Sequence, residues 1–353
     1  MLSFDEQQQI IWRKELDDYV RQVFFTNQGE VIIATTSTGT AWAFTTGDAS
    51  CIFSRKLHNG AIIACCISQQ YRLLATGGED GIFLMTSIES GDTIYKFDAK
   101  GKWVEHVIPS PNGKYVAFAF DKTVIIITSA GEVYDTLKLS SNTISALSWH
   151  NDSDTLCIGS FGGVHLYSIC KKEDFQFLAL KNAVVSLTIS PDKEYVCCGT
   201  QDYQVHIWPL PYEPGADLYM HGFPTKVKYL SWHFHGFLLA TNSGKQVIVW
   251  DFSGSGPVNR PPRMLEGHFR TVKAISFQNN DDVLVSGDEG GLILFFCPME
   301  DSVTDFVVNV DQEITTLTWS PNDRFVLAGT AAGDIILLKC PIIPKHGLRA
   351  TQN

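Results

Sequence analysis

Two histidines one residue apart, His233 and His235 in the stretch SWHFHGF, carry the best-defined metal chemistry in this sequence. Imidazoles at that spacing beside a hairpin turn can begin a zinc site, because histidine nitrogen is a common zinc ligand. No Cys, Asp or Glu is placed beside them as a third ligand. The stretch SWH also recurs at 148–150 without a second histidine. We therefore interpret both residues as turn residues and keep them as candidate metal ligands.

Other catalytic or cofactor-binding patterns are incomplete. Asp152 and Asp154 in HNDSD resemble half of a calcium loop, but the glycine and distant glutamate that would complete it are missing. The chain has no GxSxG, P-loop, GxGxxG or CxxC motif. The glycines of 252–259 lack the Lys-Ser/Thr pair that a phosphate loop needs. We therefore predict no catalytic residue, no cofactor and no enzymatic activity.

Composition narrows the class of protein further. The net charge of -11 and the pI near 5.3 argue against nucleic acid as the partner, because affinity for phosphate backbones rests on Lys and Arg. No basic and apolar leader and no run of 18 apolar residues is visible, so we expect no membrane insertion. Nine scattered cysteines without a disulfide framework indicate a reducing compartment, and we predict a cytoplasmic protein.

A repeat of three or four short strands organises the chain. The clearest copies are 104–128, 184–208 and 314–338, each a strand, a polar turn, a second strand, a second turn and a third strand. The residues equivalent to Leu187 are Val23, Cys65, Val107, Leu147, Leu230, Ile275 and Leu317, with spacings of 42, 42, 40, 40, 43, 45 and 42. A period in the low forties with four strands per unit is typical of propeller blades. Eight copies predict eight blades.

The fourth strand of the last repeat is absent after Leu338, whereas the chain opens on a strand-like segment without a nearby partner. This segment, IIWRKELDD at 10–18, is similar to CIFSRKLHN at 51–59, the fourth strand of the first repeat. A lone strand is unstable in water. We therefore predict that the N-terminal segment completes the eighth blade and closes the ring; a flexible arm is the alternative.

The repeats resemble WD40 repeats over residues 8–340, on the Gly267-His268 element and the Trp250-Asp251 pair. The resemblance implies an all-β, eight-bladed WD40-type propeller in one domain over 1–343, with a flexible tail at 344–353. The predicted blade cores lie near 20–57, 61–99, 104–139, 144–180, 184–223, 227–266, 272–310 and 314–340, the last joined by 9–16. The stretch 247–268 is also similar to a group of bacterial WD40 proteins encoded beside CobW-like metal-chaperone GTPases.

In that family, a His, a Ser or Thr, a turn Asp and a Trp form a hydrogen-bonded network that stiffens each blade. Carried over by position, the network here consists of His58, Thr76 and Asp80, then Thr200, Asp202 and Trp208, then Trp250 and Asp251, then His268 and Ser286. No unit is complete. In the seventh unit, Gly290 and Phe296 stand where Asp and Trp are expected.

The resemblance also implies that one rim of the propeller docks a protein or peptide. We predict that this rim carries Tyr19, Arg21, Trp103, Glu105, Phe223, Lys226, Lys228, Phe269, Arg270 and Lys273. Grouped cations and aromatics on an acidic chain favour an acidic partner. Each residue alone is also consistent with an ordinary solvated loop, and Trp103 with a buried position between blades.

We therefore predict a non-catalytic scaffold or adaptor that is monomeric outside its complexes. The alternative is a module that handles metal or binds a small molecule through His233 and His235 or through the central channel. An enzyme ranks third. The proline-rich connections 209–217 and 252–263 on the opposite rim form a second, weaker candidate surface.

Overall fold

The computed structural model describes residues 9–68, 72–139, 142–299 and 303–341. The predicted tail at 344–353 lies outside these ranges. All regular elements within them are β-strands, and every strand pairing is antiparallel. In this part of the chain, no helix is long and apolar enough to cross a membrane.

Thirty strands are described. The first sixteen are β1 (Ile10–Glu15), β2 (Val20–Phe25), β3 (Val31–Thr36), β4 (Thr40–Thr45), β5 (Cys51–Lys56), β6 (Ile62–Ser68), β7 (Leu73–Gly78), β8 (Ile82–Ser87), β9 (Thr93–Asp98), β10 (His106–Pro109), β11 (Tyr115–Phe120), β12 (Thr123–Thr128), β13 (Val133–Lys138), β14 (Ile144–Trp149), β15 (Thr155–Ser168) and β16 (Glu173–Ile189). The others are β17 (Tyr195–Thr200), β18 (Val205–Pro209), β19 (Leu218–Met220), β20 (Leu230–Trp232), β21 (Leu238–Ser243), β22 (Gln246–Asp251), β23 (Arg263–Leu265), β24 (Val272–Phe277), β25 (Leu284–Asp288), β26 (Leu292–Phe296), β27 (Val303–Asn309), β28 (Ile314–Trp319), β29 (Phe325–Thr330) and β30 (Asp334–Lys339).

These strands form eight four-stranded units. Six units are separate sheets, such as β2-β3-β4-β5 and β6-β7-β8-β9. The fourth and fifth units share one six-stranded sheet, because two long strands each fill two places. The first part of β15 pairs with β14, and its second part pairs with the start of β16. The end of β16 then pairs with β17 and opens the fifth unit.

The first strands of the units line the centre of a closed ring. In order, β2, β6, β10, β14, the end of β16, β20, β24 and β28 each contact the next, and β28 contacts β2. The all-β propeller architecture predicted from the repeat period is confirmed, and the strand pairing groups into as many units as the repeats.

The N-terminal strand closes the eighth unit. Strand β1 pairs with β30, with Trp12 opposite Leu337 and Lys14 opposite Ile335. The sheet order β1-β30-β29-β28 makes it the outermost strand of that unit. Leu16 is buried against the first unit, and the Trp12 indole N–H donates to the carbonyl of Thr46 at 2.9 Å. The prediction that the opening segment supplies the missing fourth strand is confirmed.

The core lies between neighbouring units, so both faces of each middle strand are covered. The ring of Phe83 in the second unit stacks on that of Phe118 in the third with centroids 4.0 Å apart. Sheets buried on both faces need near-continuous apolar strands, which explains runs such as YVAFAF in β11. Cys65, Cys66, Cys197 and Cys198 are buried in these strands, where cysteine packs as a small apolar side chain.

Candidate interaction surface on the upper rim

The upper rim is built from two sets of loops. One set joins the fourth strand of each unit to the first strand of the next, and the other joins the second strand to the third. Because propeller units repeat around the ring, these loops meet on one side of it. All ten predicted contact residues belong to these loops or to the start of a first strand.

The second unit contains the predicted network. The Nε2 atom of His58 lies 2.8 Å from the Thr76 hydroxyl, and its Nδ1 lies 3.0 Å from Oδ1 of Asp80. Asp80 also accepts the backbone N–H groups of Asn59 and Ile82 at 2.9 and 3.0 Å. The imidazole therefore joins a rim loop to the turn between the second and third strands.

The seventh unit builds the same network from a different position. His268 lies 2.6 Å from the Ser286 hydroxyl and 3.0 Å from Oδ2 of Asp288. The expectation that this unit lacks its carboxylate is wrong, because Asp288 supplies it from two residues before Gly290. In the second unit the place of Asp288 is taken by Gly78, where a Cβ would meet the imidazole of His58 at 2.3 Å. The carboxylate that contacts the histidine can therefore stand at either of two positions in the turn, two residues apart, provided that the other position is glycine.

The fifth and sixth units have lost the rim histidine. The residue four positions before the first buried valine, which is His268 in the seventh unit, is Leu180 in the fifth and Phe223 in the sixth. In the fifth unit, the Thr200 hydroxyl donates to Asp202 instead, and Trp208 is fully buried without a hydrogen bond from its indole N–H to described atoms.

Phe223 is therefore not an exposed rim aromatic, contrary to the expected placement. It is 6% exposed, and its ring lies 6.2 Å from that of Trp250. The Trp250 indole donates to the Thr241 hydroxyl at 3.2 Å, so part of the network survives in the sixth unit. Asp251 points elsewhere: it pairs with Arg260 at 2.8 Å within the proline-rich loop.

Three rim cations have no carboxylate partner among the described residues: Lys226, Lys228 and Arg270. Lys273 differs, because its ammonium lies 2.7 Å from Glu289 and 3.3 Å from Glu313. The hydrogen bond to Glu289 raises the pKa of Lys273. Of the four predicted rim cations in the sixth and seventh units, the first three are therefore the ones free to pair with a partner.

Two structural details hold these cations in place. Buried Asn242 accepts the backbone N–H groups of Lys228 and Tyr229 at 3.0 Å each, and its amide donates to the carbonyl of Lys226 at 3.2 Å. In the next unit, a Cβ on Gly290 would lie 3.1 Å from Cγ of Arg270, so the glycine leaves room for the arginine stem. We name Lys226, Lys228, Phe269 and Arg270 the cationic arc.

The exposed aromatics partly follow the prediction. Phe269 is 78% exposed and Trp103 is 54% exposed, so Trp103 is not buried between blades. Tyr19 is half-buried, with the Arg21 guanidinium 5.9 Å from its ring centre, and Arg21 donates to the carbonyl of Ile62 at 3.1 Å. Glu105 is half-buried, and burial raises its pKa.

The sequence interpretation missed several exposed rim residues. Tyr203 is 46% exposed in the second-to-third-strand turn of the fifth unit, and Phe161 is 58% exposed at the corresponding place of the fourth unit, within β15. Lys181 and Lys245 are exposed on the same rim. The repeat alignment alone could have found them, since it marks every such turn.

His233 and His235 lie on the opposite rim. His233 is fully buried; its Nε2 lies 2.8 Å from Asp282 of the next unit, and its Nδ1 accepts the backbone N–H of His235 at 3.2 Å. Both ring nitrogens are thus engaged within the protein, which agrees with turn residues. Within the described ranges, no group of three or more His, Cys, Asp or Glu could hold a metal ion.

Buried neutral histidines predict acid sensitivity. Desolvation lowers the pKa of His58, His268, His206 and His233, and lowers the pKa of His106 to about 4. Since unfolded histidine titrates near 6.5, the unfolded chain binds more protons than the folded one below that pH. We expect the free energy of unfolding in urea to keep its full histidine-linked part above about pH 6.5 and to fall as the pH decreases from about 6.5 to about 4. Equal stability at pH 7 and 5 would contradict this prediction.

Eight antiparallel four-stranded units around a closed ring define a β-propeller. The family model described as "WD domain, G-beta repeat" matches residues 49–85, 176–209 and 259–296. Together with the His–Ser/Thr–Asp networks of the second and seventh units, these matches show WD40 repeats in those parts of the chain.

Curated relatives and solved structures agree with this class. The chain is 22% identical over 204 residues to actin-interacting protein 1 of Caenorhabditis elegans, covering 56% of this chain and 33% of that protein. It is 28% identical over 114 residues to the small ribosomal subunit protein RACK1y of Oryza sativa subsp. japonica, covering 30% of this chain and 34% of that protein. The chain thus spans about a third of the length of these relatives.

Among solved structures, Chaetomium thermophilum Sqt1, bound to the N-terminus of the ribosomal protein L10, superposes with a TM-score of 0.81 at 15% identity. The match covers 94% of this chain and 100% of that one. The computationally designed Ika8 protein superposes with a TM-score of 0.80 at 17% identity, with the same coverage. At these identities the likeness establishes the fold alone.

Proposed function

We propose that this protein is a non-catalytic interaction scaffold that docks an acidic protein or peptide on the cationic arc. The supporting observation is the set of three cations without a carboxylate partner among the described residues, in the same two units as the exposed ring of Phe269, on a chain of net charge -11. Aromatic and arginine side chains are common energetic anchors of interfaces. Opposite charges also steer the approach of a partner.

The similar proteins support a protein as the partner. Sqt1, which has the same fold, was solved bound to the N-terminus of the ribosomal protein L10. We propose that Tyr19, Arg21, Trp103 and Glu105 extend the contact along the rim, and that the protein acts in the cytoplasm. The metal-handling alternative loses its main support, since both nitrogens of His233 already have partners.

Charge reversal tests the proposal. We expect the triple variant Lys226→Glu, Lys228→Glu, Arg270→Glu to capture its partner at least about tenfold less than wild type, because losing steering and pairing at three positions is cumulative. Lys273 is left unchanged, because it is already paired. The measurement is quantitative affinity purification with mass spectrometry from the native host.

The control variant is Lys114→Glu, Lys171→Glu, Arg324→Glu, three exposed cations on the opposite rim. It changes the net charge by the same amount. A partner captured by wild type and the control but lost from the arc variant supports docking at the arc. If both variants lost the partner equally, the effect would be due to net charge and not to docking at the arc. If the arc variant still captured the partner, the proposal would be overturned.

A further inference from the structure

The fifth unit contains a cleft that the upper-rim proposal does not use. The cleft has a volume of about 460 Å³ and lies beside the outer strands, between residues 179–182 of β16 and the turn 200–204. Its lining includes Leu180, Asn182, Thr200, Asp202, His206 and Tyr219. Most of these side chains are polar, so the cleft is suited to a polar group.

The missing rim histidine accounts for the chemistry of this cleft. In the second and seventh units, an imidazole bridges a strand hydroxyl and a turn carboxylate. In the fifth unit, Leu180 replaces the imidazole and Cys198 replaces the strand hydroxyl, whereas the turn carboxylate remains as Asp202. Thr200 donates to one oxygen of Asp202. The cleft therefore keeps the turn carboxylate without the imidazole that lies beside it in the second and seventh units.

A buried histidine lines the same cleft with an unused nitrogen. His206 is 1% exposed, its ring stacks on Trp208 at 4.1 Å, and it meets the edge of Tyr219 at 4.3 Å. Neither ring nitrogen has a hydrogen-bond partner among the described atoms; Nε2 lies 3.2 Å from Oδ2 of Asp217, and no carboxylate is paired with Nδ1. A proton on Nε2, beside that carboxylate, leaves Nδ1 as an acceptor.

We propose that this cleft binds a guanidinium group, presented as an arginine side chain by a partner peptide. Guanidinium is planar and carries five N–H donors, which suits Asp202 and Nδ1 of His206 together. The exposed ring of Tyr219 offers a face for the cation. The site stands independently of the cationic arc, so either proposal can fail alone.

A carboxylate ligand fits the cleft less well. Asp202 and Asp217 would repel it, and His206 would have to be protonated to donate from both nitrogens. Burial lowers the pKa of His206 and opposes that protonation. Lys181 is the lining cation, and its side chain is exposed.

The test uses the full chain with ¹⁵N-labelled histidine and the probe acetyl-Gly-Arg-Gly-amide. We expect a dissociation constant on the order of 1 mM and a change in the Nδ1 resonance of His206 toward that of a hydrogen-bonded acceptor. The isosteric citrulline peptide and the Glu peptide should leave the resonance unchanged. His206→Gln assigns the signal.

Two variants separate the site from the fold. Asp202→Asn should weaken the probe at least about tenfold. Leu180→His should place an imidazole beside Asp202, as His58 lies beside Asp80 in the second unit, and abolish binding in a folded protein. Asp92→Asn, an exposed carboxylate on the opposite rim, is the matched control and should bind like wild type. No response to the Arg peptide, an equal response to citrulline, or binding unchanged by Asp202→Asn would overturn the proposal.

Discussion

Deletion of residues 1–16 should lower the free energy of unfolding by roughly 5 kcal/mol and make the protein prone to aggregate. The deletion removes β1 and Leu16, so the cluster between the eighth and first units loses Leu16 and half-buried Trp12. It also leaves β30 as an unpaired edge. We expect the melting temperature to fall by about 10 °C or more, measured by calorimetry with light scattering.

Two companion measurements identify strand pairing as the cause. Arg13→Ala keeps the strand but removes the ion pair with Asp334, and should cost only about 1 kcal/mol because Arg13 is partly exposed. Adding a synthetic peptide of residues 9–18 to the truncated protein should restore the transition by strand addition. A truncated protein that stays soluble and melts like wild type would show that β1 does not close the ring.

The second large effect is expected in the seventh unit. Asp288→Gly should cost about 3 to 5 kcal/mol, because it leaves buried His268 without its carboxylate and the amides of Gly290 and Leu292 without their acceptor. The loss should exceed that of Asp80→Ala, since Asp288 is 1% exposed and the Asp80 side chain 15%. Urea unfolding measures both.

The double variant Asp288→Gly, Gly290→Asp tests the exchange of positions directly. It recreates the order of the second unit, where glycine and Asp80 occupy these places, and it should recover at least about half of the lost stability. The stem of Arg270 must move by a few tenths of an ångström to admit the new side chain. Additive losses in the double variant would contradict the account of this network.

The repeat period was enough to predict the architecture, because strand spacing and turn chemistry are local properties of sequence. Pairing of β1 with β30 also followed, since the eighth repeat lacked one strand and the opening segment matched a fourth strand. The position of the carboxylate in the seventh unit did not follow. Aligning the sequence with the family motif residue by residue assumes that the carboxylate has one fixed position in the turn. Side chains at positions 288 and 290 can both reach the same imidazole.

The rim residues were predicted less well, because their state depends on neighbours in other units. Phe223 is buried since it replaces the network histidine, which could be found by counting four residues back from Val227. Pairing of Lys273 with Glu313 joins the seventh unit to the eighth, so no pattern within one repeat predicts it. The cleft near His206 exists because Leu180, which cannot form hydrogen bonds, stands where other units have a histidine. The structure was needed to show this cleft.

The most direct test of docking at the cationic arc is hydrogen–deuterium exchange on the purified complex with its captured partner. We predict slower exchange in 225–229 and 266–272, which carry Lys226, Lys228, Phe269 and Arg270. Exchange in the proline-rich loops 209–217 and 252–263 should stay unchanged. Protection confined to those loops, with the arc exchanging as in the free protein, would contradict the proposed function.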